Sequence, residues 1–364
     1  MAELAKARAE GWGFDGVVEE RLEGLEASFE AAERSTGPAS ADRFVIAGGS
    51  VVLRFASPAL RERLTPAFEH LAVGSADTNE PELTVHLWDS ASTGAVPPPR
   101  PAVPADHAQG ALYHFHEPPL RAAYMPGLET LSVLDEGGRR AWHWVADAFS
   151  QPYWDQASPI RQILFWWLDS RGCIQVHGGA VGLASGGVLL VGKGGPGKST
   201  VALSSLASEL LYAGDDYVAV MPEQSPWVHS LYNSGKLEPH HVRGPLSHLL
   251  PLLSNAEQLE TEKAVLYAEK HFPERTTSGF PLRAILAPSV QPEVEHRMVE
   301  MSPATAFAAL APSTILQLHT ASPSTFSAMS RLVASVPCYR FEVGPDIASI
   351  PAAIADFLRR LPSE

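Results

Sequence analysis

Residues 188–203, "VLLVGKGGPGKSTVAL", leave this chain few folds to adopt. The apolar run "VLLVG" reads as a strand. The run ends in glycines, and residues with helical spacing follow at once. Strand, glycine loop, helix is a unit of wound α/β sheets. Gly192 to Ser199 reads G-K-G-G-P-G-K-S and fits G-x-x-x-x-G-K-[ST] at every fixed position. Gly194, Gly195 and Gly197 permit a tight turn whose backbone N–H groups face phosphate oxygens. The start of the helix adds its positive end. The candidate nucleotide-binding residues are therefore Gly192, Gly194, Gly195, Pro196, Gly197, Lys198, Ser199 and Thr200. Lys198 is suited to neutralise the β and γ phosphates and Ser199 to ligate Mg2+, so ATP and Mg2+ are the expected cofactors.

"GDDYV", residues 214–218, follows the apolar strand "LLYA". Acids at the carboxyl end of a strand in such a sheet stand where ligands bind. One carboxylate can hold the metal or its water, and the other can take the proton of an attacking hydroxyl. His177 closes the strand "CIQVH" just before Gly178 and Gly179. If that strand neighbours the loop strand, His177 reaches the same edge. Charge developing on a transferred phosphate needs further cations. Lys236, Lys263, Lys270, Arg275 and Arg283 lie after the acids, and Lys263 and Arg283 are the preferred pair because each adjoins a strand.

The formal charge of -14 argues against a nucleic-acid or anionic-membrane surface. Two cysteines, Cys173 and Cys338, are too few for a disulfide framework, which suits a reducing compartment. The opening "MAELAKARAEGWGFDG" lacks the apolar run of a signal peptide and no later stretch spans a membrane, so a cytoplasmic location is expected. Two domains are expected, 1–150 and 151–364. The first reads as an α+β module, with hairpins at "RFVIAGGSVVLRF" and around Glu136-Gly137-Gly138, a helix over 60–71 and a strand over 82–89. "VPPPRPAVPADH", residues 96–107, reads as a polyproline-like loop. In the second, a helix within 157–172 precedes "CIQVH", and a Gly186-Gly187 turn precedes the loop strand.

Taken together, "VHGGAV", "LLVGKGGPGKST" and "GDDYVAV" resemble the HPr kinase/phosphorylase family and, more distantly, the ATP-dependent phosphoenolpyruvate carboxykinases. The resemblance implies an α/β P-loop kinase core of that type behind an N-terminal α+β domain. It implies Lys198 and Ser199 for phosphate and Mg2+, Asp215 as the base aided by His177, and Asp216 near the metal. Farther on, "LYNSGKLEPHHV", "FPLRAILAP" and the closing "VPCYRFEVGPDIASIPAAIADFLRRL" also resemble the family. The chain departs from HPr kinases proper at Thr200, where they carry an acid, and in lacking their glycine-rich signature.

An ATP-dependent kinase acting on a hydroxyl acceptor is the leading expectation. The acceptor would be a serine of a protein or peptide, or a small molecule, with homo-oligomers left open and the N-terminal domain as its selector. The alternative is a nucleotide-binding regulator or scaffold that transfers nothing rapidly. Such a protein needs the loop but has no use for a base such as Asp215. A guanine-selecting N-K-x-D segment is absent from the sequence.

Overall fold

The structure is a computed structural model that describes residues 18–74, 80–103, 110–193, 197–291, 295–318 and 323–362. Expectations placed on Gly194, Gly195 and Pro196, on the opening residues and on the end of the proline-rich tract lie outside these ranges. The chain divides into two units. One takes Met1–Thr65, Ala72–Pro152 and Pro159–Trp167; the other takes Pro66–Leu71, Tyr153–Ser158 and Leu168–Glu364.

The first unit is built on seven strands: β1 (Ser40–Ile46), β2 (Gly49–Phe55), β3 (Leu83–Asp89), β4 (Tyr113–Glu117), β5 (Leu120–Met125), β6 (Thr130–Asp135) and β7 (Arg140–Val145). Their order is β1-β2-β3-β7-β6-β5-β4, with β2, β3 and β7 parallel and the other pairs antiparallel. The helix Val18–Thr36 sets Leu25, Phe29 and Ala32 against Trp88, Trp142 and Trp144. Ser57 caps the helix Pro58–Leu64, and the expected helix over 60–71 continues as a 3-10 turn, Thr65–Leu71. His86 and Trp144 are buried, as packing groups should be.

In the second unit the strands are β8 (Ile174–His177), β9 (Gly179–Leu183), β10 (Gly186–Leu190), β11 (Leu211–Gly214), β12 (Tyr217–Met221), β13 (Trp227–Ser230), β14 (Ser234–Leu237), β15 (Ala264–Tyr267), β16 (Gly279–Val290), β17 (Arg297–Glu300) and β18 (Cys338–Val343). The main sheet runs β11-β9-β10-β16-β13-β12-β8, with β18 beside β16 and β17 beside β18; β14 and β15 form a separate ribbon. β10 explains its own unbroken apolar sequence. Val188 and Leu190 face the helices Lys198–Ser204 and Ile350–Arg360, while Leu189 and Val191 join a core with Pro303–Leu318 and Pro323–Ser335. Gly186 and Gly187 belong to this strand, so the turn falls one step earlier, at Ala184 and Ser185. Among the described residues no helix is long and apolar enough to cross a membrane.

Strand direction decides where ligands can meet. β10, β16 and β18 are parallel. β11 is antiparallel to β9, which is antiparallel to β10, so β11 shares the direction of β10. Four carboxyl ends therefore line one edge, the ligand-binding edge of open α/β sheets. His177 does not lie on a neighbour of β10: β8 pairs with β12 at the far side of the sheet order, and the chain crosses to β9 at Gly178. The acids cross back alongside it, because β11 pairs with β9 and β12 with β8. At this crossing the Gly178 N–H donates to the Asp216 carbonyl at 3.1 Å. A side chain on Gly178 would strike the Leu190 carbonyl, since its Cβ would lie only 2.4 Å away. Gly178→Ala should therefore lower stability by about 1–3 kcal/mol, the usual cost of overpacking, in urea unfolding. Wild-type stability in that variant would show that the crossing has slack.

Candidate functional site

β10 delivers Gly192 and Lys193 to the sheet edge, and Gly197, left-handed at φ 96°, stands before the helix that starts with Lys198. Lys198 is buried, and its Nζ donates to the carbonyls of Gly192 at 2.8 Å and Lys193 at 3.1 Å. Burial pulls its pKa down, opposed by Asp215 and Asp216 and assisted by Lys263. Ser199 is partly exposed beside it and Thr200 is buried. The lysine's environment contains both acids, so loop and acid pair form one electrostatic site.

The two aspartates differ sharply. Asp215 is 2% exposed. Its Oδ2 accepts the Lys236 backbone N–H at 3.0 Å, whereas its Oδ1 has no hydrogen bond of ordinary geometry. Burial and then the Asp216 charge push its pKa up to about 6, although the Lys236 N–H, the Ser199 hydroxyl and Lys198 favour its anion. Asp216 retains 23% of its side-chain exposure. Its Oδ1 meets His177 Nε2 at 3.1 Å and its Oδ2 accepts from Lys236 Nζ at 2.8 Å. Burial alone would raise its pKa, but the Lys236 charge and the His177 hydrogen bond outweigh it and hold Asp216 well below the usual carboxylate range. An ionised carboxylate only accepts, so His177 Nε2 carries the proton of that bond. The His177 ring also lies 5.5 Å from that of Tyr217, its cross-strand neighbour.

The family resemblance implies that His177 aids Asp215 and that Asp216 lies near the metal. His177 is bonded to Asp216, however, and the Ser199 hydroxyl favours the Asp215 anion. Of the preferred cations, Arg283 is elsewhere, donating through Nη2 to the Leu361 and Pro362 carbonyls. Lys263 is half-exposed and paired with Glu238 at 2.8 Å, reaching Lys198 only through its field. The cation that touches the acids is Lys236, which also donates to Ser158 Oγ at 2.9 Å. Lys236 is in register on β14, and β14 lies against the loop helix because residue 235 is glycine: a Cβ there would sit 2.4 Å from Leu203 Cδ2. The available sequence signal was that "SGKL" puts a small residue next to a lysine in a short strand. Ser158 carried no such signal.

Among the described residues no group of three or more His, Cys, Asp or Glu is placed to hold a metal alone. The donors that are placed, Ser199 Oγ and the orphaned Asp215 Oδ1, are hard oxygens, which fits Mg2+ sharing its shell with phosphate and water.

The raised Asp215 pKa has a sign that can be checked. Between about pH 4 and 6 the folded chain keeps a proton on Asp215 that the unfolded chain, near its ordinary value of 3.8, has released. Stability is then favoured at low pH and falls as pH rises through the folded value. Asp215→Asn removes this penalty. In metal-free buffer its stability advantage over wild type should grow from pH 4 to pH 7, reaching at most about 3 kcal/mol at 1.36 kcal/mol per unit. An advantage that does not vary with pH in urea unfolding would contradict the assignment.

No family model matches this chain, and no curated protein matches it. Among solved structures, the HPr(Ser) kinase/phosphatase from Coxiella burnetii is similar over 51% of this chain and 93% of that chain, at 12% sequence identity and a TM-score of 0.28. A likeness of that size carries no weight for individual residues, and the site stands on its own geometry.

Proposed function

We propose that the second unit is an ATP-dependent phosphotransferase acting on a hydroxyl acceptor. The observation that carries this reading is the divided acid pair beside the loop lysine. Asp215 is buried with one oxygen free, and Asp216 is partly exposed and held ionised by two partners. A protein that only binds nucleotide has no use for an anion held ready beyond the phosphates.

The roles follow from access. Lys198 exchanges its carbonyl partners for phosphate oxygens, and the N–H groups at the start of its helix face the same anion. Ser199 and Asp215 would hold Mg2+, which when bound would offset the charge of the phosphates. Asp216 keeps spare lone pairs beside its two hydrogen bonds and is the more exposed acid. It accepts the hydrogen bond of the acceptor hydroxyl, orients that oxygen in line with the γ-phosphorus, and receives its proton. The new O–P bond forms as the bond to the ADP oxygen breaks. Strong basicity is not needed for this, because a loose transition state takes most of its help from positioning. His177 fixes the Asp216 carboxylate from the other side. This division reverses the one that the family resemblance implies.

Two variants test the reading. Lys198→Ala should weaken MgATP binding about 10- to 100-fold in calorimetry, the worth of one charged hydrogen bond. Asp216→Asn should keep nucleotide affinity within about twofold, yet slow phosphate release from MgATP, with water as acceptor, by roughly 10²- to 10⁴-fold. Tight MgATP binding with no turnover in wild type would instead favour a nucleotide-binding regulator. Equal turnover in Asp216→Asn would remove Asp216 from the chemistry.

A further inference from the structure

Both aspartates are tied to one residue. The Lys236 backbone N–H holds Asp215 Oδ2 at 3.0 Å, and its ammonium, four carbons farther out, holds Asp216 Oδ2 at 2.8 Å. Adjacent carboxylates on one strand end would repel each other and turn apart towards water if left alone. Here the same side chain and its own peptide group set both directions. The Lys236 side chain is 11% exposed and its stem is enclosed. Its Nζ lies 5.8 Å from the Tyr217 ring centroid, and Ser158 Oγ, itself buried, takes a second N–H at 2.9 Å. Ser158 is held in turn: Ser234, at the start of the same strand, donates to the carbonyl of its neighbour Ala157. Tyr212, from the strand that leads into the acids, donates to the Ser234 carbonyl at 2.9 Å. The lysine therefore has little freedom. Its third N–H meets no described residue at hydrogen-bond distance.

We infer that Lys236 is the positioning residue of the acid pair: it turns Asp215 towards Ser199 and the metal, and Asp216 towards His177 and the acceptor, so that two chemically identical side chains do different work. The inference rests on the phosphotransfer reading for the words metal and acceptor. The geometric claim, that Asp216 keeps its bond to His177 because Lys236 holds it, does not. Lys236 acts through the aspartates. The order of residues also explains why a lysine is suited here, since a peptide N–H and an ammonium at the end of a flexible stem span the distance between two adjacent carboxylates.

The test uses the full chain. Lys236→Met keeps the apolar stem and the backbone N–H, so Asp215 retains its bond while Asp216 loses its cation. Proton NMR of the imidazole N–H region reads the His177–Asp216 bond directly. Wild type should show a hydrogen-bonded His177 Nε2–H that Asp216→Asn assigns by its shift. In Lys236→Met that signal should broaden or disappear, whereas in Lys236→Arg it should partly return. Thermal unfolding confirms that each variant is folded; if Lys236→Met fails that check, Lys236→Gln, which is likewise uncharged and keeps the backbone N–H, replaces it. In the same proteins MgADP affinity should stay within about twofold, and the kcat for MgATP hydrolysis should fall about 100-fold with KM little changed. A wild-type His177 signal in folded Lys236→Met overturns the inference, as does an unchanged kcat in that variant where wild type turns over MgATP. If wild type binds no MgADP, the phosphotransfer reading falls, and the NMR signal alone decides whether Lys236 positions Asp216.

Discussion

The second unit depends on one pairing, that of residues 174–183 with residues 211–221. Each segment is two short strands in different parts of the sheet, joined by a crossing, and the two crossings are hydrogen-bonded together. The register sets His177 opposite Tyr217 and Ala180 opposite Gly214, which leaves Gly178 and Gly179 across from the acids. Glycine is required there because the crossing passes within touching distance of the Leu190 carbonyl, at the last step before the phosphate loop. A single backbone constraint thus sets how far the acids, the histidine and the loop stand from one another. Side chains then refine that spacing but do not create it.

Charge is managed by pairing, not by exposure. Four ionisable groups, Lys198, Asp215, Asp216 and Lys236, share a largely buried place, and bare burial of any one would be costly. Lys198, Lys236 and Asp216 are well satisfied, each with two side-chain hydrogen bonds. Asp215 is the least, with an oxygen unpaired and a pKa drawn towards neutrality. Strain of this kind gathers where a ligand is to complete the set.

How much of this was legible in the sequence depended on range. The helix start at Lys198 and the strand nature of β8 and β10 were visible because local pattern determines them. The acids were visible as a pair, but their different surroundings were not. Those depend on which way each carboxylate turns, and the partners that hold them come from β8 and β14. Lys236 stood in the sequence with four other cations, and the glycine beside it was the one local feature that set it apart. Only the close approach of Gly235 to Leu203 brings it to the acids. Lys263 adjoins β15 and Arg283 lies within β16, yet neither placement says which end faces the site. The helix Val18–Thr36 and the strands β4 and β5 went unread: the helix is rich in exposed charge, and β4 is nowhere fully buried, so neither carries a strong apolar signal.

Lys198 bonds to the carbonyls of Gly192 and Lys193, which would give the proposed nucleotide binding a particular character. The lysine is not a bare charge waiting for an anion, because the loop already supplies it with acceptors of its own. A phosphate must displace those carbonyls, so the free energy gained is the difference between two sets of bonds. Weak anions gain little from such an exchange, while a polyphosphate, with several oxygens and more charge to offer, gains much. Under the proposed function the loop would therefore discriminate by the strength of what replaces its own backbone.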